Sequence, residues 1–420
     1  MLRSLRVPRI VFWLLAGANF AVALGYGAIL PLLPTLLATY GGSASAVSVS
    51  WHTGGLLGAY MFGLFFAAPV WGALSDRIGG QRLLVCGLVA YAASLVAFAL
   101  AESLPLAYVW RVLAGVAGGA VLPIVNATAG AVTDRRQRAR LFSGTAMATL
   151  LGLLAGPALS GLVYGAMQRM GDVTTMTPAV VGLPLVASAS VAFGVALGCG
   201  LRLERTRTAS LELGGGIMPA ARAVWQNARP ALAASFLLTL ALGAFEAILP
   251  VFGRSHLSIG PEAIGALLSV CMIAMLGVQG GLLVFPILQR VAGGAFIATA
   301  FLVVAAGLSL LAATESLTHA ALAIGLIGAG GALLQPAIAY VATLNDAVAS
   351  GLLLGAVAAA GGLGQAAGSL AGGALFAMFE ANALWAVAAT VALGAIWLGV
   401  TSPRLQSVKT EGSSLHRRLR

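Results

Sequence analysis

Twelve apolar runs follow one another along the chain, and each is long enough to cross the hydrocarbon core of a lipid bilayer. A helix of about 20 residues spans that core. Strands of a membrane β-barrel would be shorter and would alternate apolar with polar side chains, which these runs do not do. The sequence therefore predicts an all-α integral membrane protein whose spans cover residues 10–38, 48–74, 82–101, 105–133, 140–167, 178–201, 229–254, 260–288, 293–313, 319–344, 349–377 and 381–401.

The composition agrees with a chain surrounded mostly by lipid. Of its 420 residues, 60% are hydrophobic and only 8% are charged, whereas a soluble protein carries about 25% charged residues. The three cysteines, Cys86, Cys199 and Cys271, fall in different runs, which argues against a disulfide framework, and no metal-ligand spacing is present. We find no phosphate-binding loop and no nucleophile–base pair, so the sequence predicts neither an enzyme nor a bound cofactor or metal.

The net charge of +11 is divided unevenly between the two predicted faces of the membrane, because 20 of the 23 basic residues fall on one side. Cytoplasmic loops carry an excess of lysine and arginine. We therefore expect both termini to be cytoplasmic, with contact to anionic lipid headgroups as a side effect; nucleic-acid binding is the weaker interpretation. Residues 1–25 are similar to a signal peptide, but the apolar run continues to about Leu37, which favours an uncleaved first span.

Three short segments recur in the same order in the two halves of the chain. YGAILPLL at residues 26–33 returns as FEAILPVF at 245–252, AGGAVLP at 117–123 as AGGALLQP at 329–336, and FSGTAM at 142–147 as ASGLLL at 349–354. Parallel repeats of this kind predict two six-helix bundles with a site between them. The predicted units are an N-terminal bundle (1–201), a cytoplasmic linker (202–228), a C-terminal bundle (229–402) and a basic cytoplasmic tail (403–420).

The segment GALSDRIGGQRLL at residues 72–84 resembles the loop signature of the major facilitator superfamily of transporters. The resemblance implies two pseudo-symmetric bundles of six helices, and a loop that latches them together when the cavity faces outward. Gly80 and Gln81 replace the two basic residues usual in the family. The gating residues that it implies are Gly72, Asp76, Arg77, Gly79 and Arg82.

The segment GLLAGPALSG at residues 152–161 resembles a fifth-helix motif of the drug:proton antiporters, the export branch of that family. Small residues at four-residue spacing let another helix approach closely, and a proline bends the helix. Ordinary small-residue packing is the alternative interpretation. The eleventh run lacks the Gly-Pro pair, which favours export. The motif residues are Gly152, Gly156, Pro157, Ser160 and Gly161.

Glu246 is the one acidic residue predicted within a span, and the first copy of the repeat has Gly27 in its place. Acids inside membranes are costly and are usually functional, and loss of water favours the protonated form of a carboxyl group. Arg111 lies in the segment RVLAGVAGGA, which resembles the fourth-helix motif of the same family. The resemblance implies that Arg111 and Glu246 face a central cavity. Our hypothesis is that Glu246 binds a proton there, with an affinity that is lowered by Arg111 or by a bound cationic substrate. The alternatives are a static Glu246–Arg111 pair that fastens the halves, and a Glu246 that only selects the charge of the substrate.

The remaining polar and aromatic side chains predicted to line the cavity are Asn19, Tyr26, Asn126, Phe245, Gln335 and Tyr340. A cavity with so few polar groups suits amphipathic solutes. We expect a monomeric, proton-coupled exporter of drugs or small amphipathic metabolites in the inner membrane. A proton-coupled uptake symporter and a transport-inactive scaffold or sensor are the alternatives, and the sequence does not identify the substrate.

Overall fold

The computed structural model describes residues 9–40, 46–130, 135–169, 182–202, 217–284, 294–342 and 350–401, which are almost entirely helical. Eleven described stretches are long and apolar enough to cross a membrane. The 33-residue α3 fills the second predicted run, and the twelve-helix fold is confirmed. The helices are α1 (Arg9–Ile29), α2 (Leu33–Thr39), α3 (Ala46–Ile78), α4 (Gly80–Ala99), α5 (Leu104–Gly118), α6 (Val121–Gly130), α7 (Arg135–Arg169), α8 (Leu183–Arg202), α9 (Ile217–Ser255), α10 (Pro261–Val284), α11 (Gly294–Ala312), α12 (Leu317–Ala342), α13 (Ser350–Phe379) and α14 (Asn382–Thr401).

The first predicted run is broken between α1 and α2 at Pro31, which has no N–H to donate. The N–H of Leu32 turns back to the carbonyl of Ile29 at 3.1 Å, so the carbonyl of Ala28 loses its helical donor. The hydroxyl of Ser160 on α7 donates to that oxygen at 2.5 Å. A side chain of the neighbouring helix thus satisfies the polar group that the break exposes.

Two further boundaries differ from the predicted ones. The fourth run is divided into α5 and α6 just before Pro123, which lacks the N–H that a continuous helix requires. The predicted linker at 202–228 is partly helical, because α9 begins at Ile217 and continues through Pro250 to Ser255. Residues 203–216 of the linker and the tail at 403–420 lie outside the described residues.

The helix contacts fall into two groups joined by two seams. In residues 9–202, α1 packs on α7 and α8, α3 on α5, and α4 on α8; in residues 217–401, α9 packs on α13, and α11 on α12 and α14. The two most extensive seams between the groups are α3–α13 and α7–α10, and α3 also contacts α9. We call the side of the bundle with the turn at Gly79 the terminal side, and the side with the loops at 100–103 and 256–260 the distal side.

Both seams are tightly packed on the distal side. A Cβ placed on Gly54 of α3 would lie 2.8 Å from the Cα of Gly373 on α13. In the other seam, a Cβ on Gly265 of α10 would lie 2.5 Å from the carbonyl oxygen of Pro157 on α7. No side chain fits at either glycine, so the backbones of the two groups are in direct contact there.

Two glycines further along the seam helices, towards the terminal side, have no close neighbour among the described residues. Gly280 lies on the face of α10 that carries Gly265, about four turns further along the helix. Gly355 lies on the face of α13 that carries Gly373. No described atom lies within 4 Å of a Cβ placed on Gly280 or Gly355. The close backbone contacts at Gly54 and Gly265 therefore close both seams on the distal side.

Substitution of Gly156 by alanine tests the close contact of α1 with α7. A Cβ at this position would lie 2.6 Å from the backbone nitrogen of Ala28, and overpacking of this kind costs about 1–3 kcal/mol. Gly194→Ala on α8 is the matched control, because no described atom lies within 4 Å of its Cβ position. Thermal unfolding in detergent should show a lower midpoint for Gly156→Ala alone; equal midpoints would contradict the contact.

Cysteine labelling tests the asymmetric opening of the seams. In a variant without Cys86, Cys199 and Cys271, we expect Gly280→Cys to react rapidly with a water-soluble maleimide in lipid nanodiscs. Ser369→Cys, at a fully buried position of the distal α3–α13 seam, should react at least about tenfold more slowly, because its thiol is not accessible to the reagent. A tenfold difference corresponds to about 1.4 kcal/mol in the free energy of exposing the thiol. Equal rates would show that the protein is not closed on the distal side in the bilayer.

Candidate functional site

Glu246 lies on α9, and two side chains bind its carboxylate from different helices. The hydroxyl of Tyr26 on α1 donates to Oε2 at 2.5 Å. The amide nitrogen of Gln365 on α13 donates to the same oxygen at 2.7 Å. Because α9 packs on α13 whereas α1 belongs to the other group of helices, the carboxylate receives one donor from each half.

The other carboxylate oxygen of Glu246 is available for a ligand. None of the residues in the described ranges donates to Oε1. The side chain is half-buried, whereas Tyr26 is 5% exposed and Gln365 is 9% exposed. Both hydrogen bonds are accepted by Oε2, so Oε1 is the carboxylate oxygen that a proton or a cation can reach.

The structure explains why the repeat carries a carboxylate in one copy alone. A Cβ placed on Gly27, the counterpart of Glu246, would lie 2.9 Å from Cδ of Pro157 and 3.2 Å from the carbonyl oxygen of Leu153. This position of α1 therefore faces α7, with no room for a side chain. Tyr26, the residue before it, points across to α9 instead.

Arg111 is held entirely within the first half. It is 0% exposed, and its Nε donates to the carbonyl of Leu56 on α3 at 3.3 Å. The guanidinium carbon lies 4.6 Å from the ring centroid of Tyr60 and 5.6 Å from that of Phe98. The terminal nitrogens of Arg111 have no hydrogen-bond partner in the described part of the chain. Aromatic faces thus stabilise this cation, in contacts worth about 2 kcal/mol when desolvated.

These positions correct the expectation that Arg111 and Glu246 face one cavity. No ion pair joins the two residues, both of which are described. Tyr60 covers Arg111, and its ring centroid lies 5.1 Å from that of Tyr26. The direct ion pair considered from the sequence is therefore replaced by an indirect link through two tyrosines.

The other predicted cavity residues are dispersed. Asn19 is buried between helices of one half, where its Nδ2 donates to the carbonyl of Thr145 at 3.4 Å. Phe245 is 2% exposed and belongs to the apolar core. Gln335 is exposed on α12. The side chains of Asn126 and Tyr340 lie outside the described residues.

The loop between α3 and α4 is described in part. Gly79 has φ +100°, a conformation that favours glycine, and no described atom lies within 4 Å of its Cβ position. Gln81, which replaces a basic residue of the family motif, donates to the carbonyl of Cys199 near the end of α8 at 3.3 Å. Arg82 is exposed. The side chains of Asp76 and Arg77 and the environment of Gly72 lie outside the described residues.

The fifth-helix motif joins α7 to two helices at once. A Cβ on Gly152 would lie 2.5 Å from the carbonyl oxygen of Phe20 on α1, which shows how closely the two backbones approach. Ser160 bonds to the break after α1, and Pro157 contacts the distal part of α10. A Cβ on Gly161 would lie 3.1 Å from the backbone oxygen of Glu262 on α10. The motif therefore positions α1, and with it Tyr26, against the second half.

Gln365, Tyr60 and Phe98 were not among the residues selected from the sequence. Gln365 carried a usable signal, since it is a polar residue within an apolar span, the criterion that selects Glu246. Tyr60 and Phe98 have no such signal, because aromatic residues are common in apolar runs.

A groove of about 610 Å³ lies away from Glu246, along one face of α3. Its wall is aromatic towards the distal side and apolar further along, and it opens between α5 and α13. It is lined by Ser48, Trp51, His52, Gly55, Gly58, Ala59, Phe62, Tyr108 and Leu370.

The sequence is similar to those of known transporters. A family model described as Major Facilitator Superfamily matches residues 15–345. Multidrug resistance protein 2 of Bacillus subtilis (strain 168) is 22% identical over 66% of this chain and 67% of that protein. Tetracycline resistance protein, class C, of Escherichia coli is 36% identical over 34% of this chain and 35% of that protein. The match to that protein thus spans about a third of its length.

Solved structures share the overall fold. The crystal structure of a D-xylose-proton symporter aligns with a TM-score of 0.76 at 15% identity, over 95% of this chain and 99% of the symporter. A bacterial homolog of the human lysosomal transporter Spinster aligns with a TM-score of 0.72 at 13% identity, over 95% of this chain and 98% of that chain. At these identities the similarity concerns the fold alone.

Substitution of Arg111 by lysine tests how the buried cation is stabilised. A compact ammonium group cannot stack between two rings while bonding to the carbonyl of Leu56, because it lacks the planar, weakly hydrated guanidinium. We expect Arg111→Lys to lower the unfolding free energy by about 1–3 kcal/mol and Arg111→Met to lower it less, since apolar replacement removes the buried charge. Thermal unfolding in detergent gives both values, and a lysine variant as stable as the wild type would contradict the ring contacts.

Proposed function

The chain belongs to the Major Facilitator Superfamily, and from that membership we propose that it is a proton-coupled exporter of small amphipathic molecules. It is a multi-pass membrane transporter. The observation that carries the proposal is the carboxylate of Glu246, which bonds to both halves through Oε2 and leaves Oε1 available. An acid in this position can exchange a proton for a solute when the two halves move.

The relatives support export as the direction of transport. Their names associate them with multidrug resistance and with tetracycline resistance. The fifth-helix motif, which resembles that of drug:proton antiporters, contacts α1 and α10 in the present structure. Uptake coupled to protons remains the second candidate, because a D-xylose-proton symporter shares the fold.

The distribution of charge supports a cationic or weakly basic solute. Glu246 is half-buried, whereas Arg111 is fully buried beneath Tyr60 and Phe98. A solute between the halves would meet the acid and would be shielded from the base. Apolar contact would supply most of the affinity, with one polar group that orients the ligand.

The transport cycle follows from competition for one carboxylate. Glu246 takes up a proton when the distal side is open, and after closure it releases the proton to the terminal side and accepts a cationic solute. The excess of basic residues in the loops of the terminal side supports a cytoplasmic location for that side. We propose a monomer in the inner membrane, with the lipid bilayer and protons as its other partners.

Transport of ethidium into inverted membrane vesicles tests the proposal. With an imposed proton gradient, the wild type should accumulate ethidium. Glu246→Gln has no ionisable group at this position and should lose at least about 90% of the driven uptake, a tenfold loss that corresponds to about 1.4 kcal/mol. Glu262→Gln is the matched control, because Glu262 is an acid on the distal rim whose side chain is 50% exposed; it should retain driven uptake.

Each other result would change the assignment. Driven uptake that survives in Glu246→Gln would exclude Glu246 as the proton site. Gradient-driven loss of ethidium from the vesicle lumen would support import. No movement of ethidium in any variant would remove the support for a cationic, drug-like solute.

A further inference from the structure

The donors to Glu246 differ in how they depend on the conformation of the protein. Tyr26 lies on α1, in the first half, whereas Gln365 lies on α13, against which α9 packs. When the halves separate on the distal side, α1 moves relative to α9, while α9 and α13 move together. The Tyr26 bond crosses the boundary that opens, and the Gln365 bond does not.

We propose that Tyr26 is a positioning residue that binds the carboxylate of Glu246 only while the distal side is closed, and so promotes proton release towards the terminal side. This inference rests on the proposed function, because it assigns a cause to proton release at the same site. A hydrogen bond donated to a carboxylate favours its ionised form. The carboxylate has two donors in the present, distal-closed structure, and opening leaves it with Gln365 alone.

The hydroxyl of Tyr26 is held in place to make this contact. The Tyr26 side chain is 5% exposed, and its ring packs on Tyr60 with the centroids 5.1 Å apart. Gly27 fixes the orientation of α1, since its Cβ position faces Pro157 and Leu153 of α7 at 2.9 and 3.2 Å. The helix therefore cannot rotate to carry the hydroxyl elsewhere without a clash.

Few other titratable groups act on Glu246 within the described residues. Tyr26 approaches it from α1 and Cys271 from α10. Arg111, which lies behind Tyr60 in the first half, interacts with Tyr26 and not with the carboxylate itself. Gln365 on α13 carries no charge. Of these groups, Tyr26 donates a hydrogen bond to the carboxylate across the two halves.

Two variants that remove one donor each give the test. Tyr26→Phe removes the donor from the opposite half, and Gln365→Leu removes the donor from the same half. Tyr164→Phe, at a half-buried tyrosine of α7 outside the cluster, is the control. Ethidium uptake into inverted vesicles is measured against bath pH at fixed lumen pH, and then against lumen pH at fixed bath pH. In these vesicles the bath contacts the terminal side.

We expect Tyr26→Phe to shift only the dependence of ethidium uptake on bath pH. Without the hydroxyl, proton release to the terminal side should require a more alkaline bath, with the half-maximal bath pH raised by about one unit, a tenfold change equivalent to about 1.4 kcal/mol. The dependence on lumen pH should not change. Gln365→Leu should move both profiles, because its donor is present in both conformations. Tyr164→Phe should match the wild type.

Several results would overturn the inference. These are a Tyr26→Phe variant that moves neither profile, or one that moves both equally. Tyr26→Gln, which restores an N–H donor without the ring, should return the bath profile towards that of the wild type; if it behaves as Tyr26→Phe, the ring and not the donor matters. If the wild type itself shows no gradient-driven uptake, the proposed function fails together with this inference. If the wild type transports ethidium normally but the pH profiles of Tyr26→Phe do not move, this inference alone fails.

Discussion

Polar groups inside a bilayer have to find their partners within the protein, because hydrocarbon offers no hydrogen bonds. This constraint governs the parts of the molecule that deviate from regular helix. Pro31 ends α1, and the freed carbonyl of Ala28 is satisfied by Ser160 of another helix. Arg111 is enclosed by Tyr60 and Phe98 rather than by water.

Glu246 satisfies the same constraint in a different way, since its donors come from helices that belong to different halves. One carboxylate oxygen is fully engaged and the other is accessible, so the residue is anchored and reactive at once. Glycines of α7 pack closely against α1 and against α10, and the hydroxyl of Tyr26 on α1 reaches the carboxylate on α9. Close packing of backbones and the chemistry of the site are therefore linked.

Much of the fold was readable in the sequence, because apolar length and loop charge act locally. The twelve runs, the fifth-helix motif and the selection of Glu246 as a candidate required no tertiary information. The surroundings of Arg111 could not be read in this way, since ring contacts from α3 and α4 depend on how three helices pack. Gln365 was overlooked although its polarity within an apolar span was visible. The breaks at Pro31 and Pro123 reflect missing N–H groups, yet Pro250, in the second copy of the repeat, stays within a continuous helix.

The blocked position at Gly27 has a consequence for energetics. The repeat offers two equivalent places for a carboxylate, and Pro157 and Leu153 occupy the space beside the first. Of these two equivalent positions, the one in the second half can therefore carry an acid. Under the proposed mechanism a single carboxylate would exchange one proton for one positive charge, so export of a monovalent cation by this route would move no net charge across the bilayer. Such an exchange would respond to the difference in pH across the membrane and would not respond to voltage.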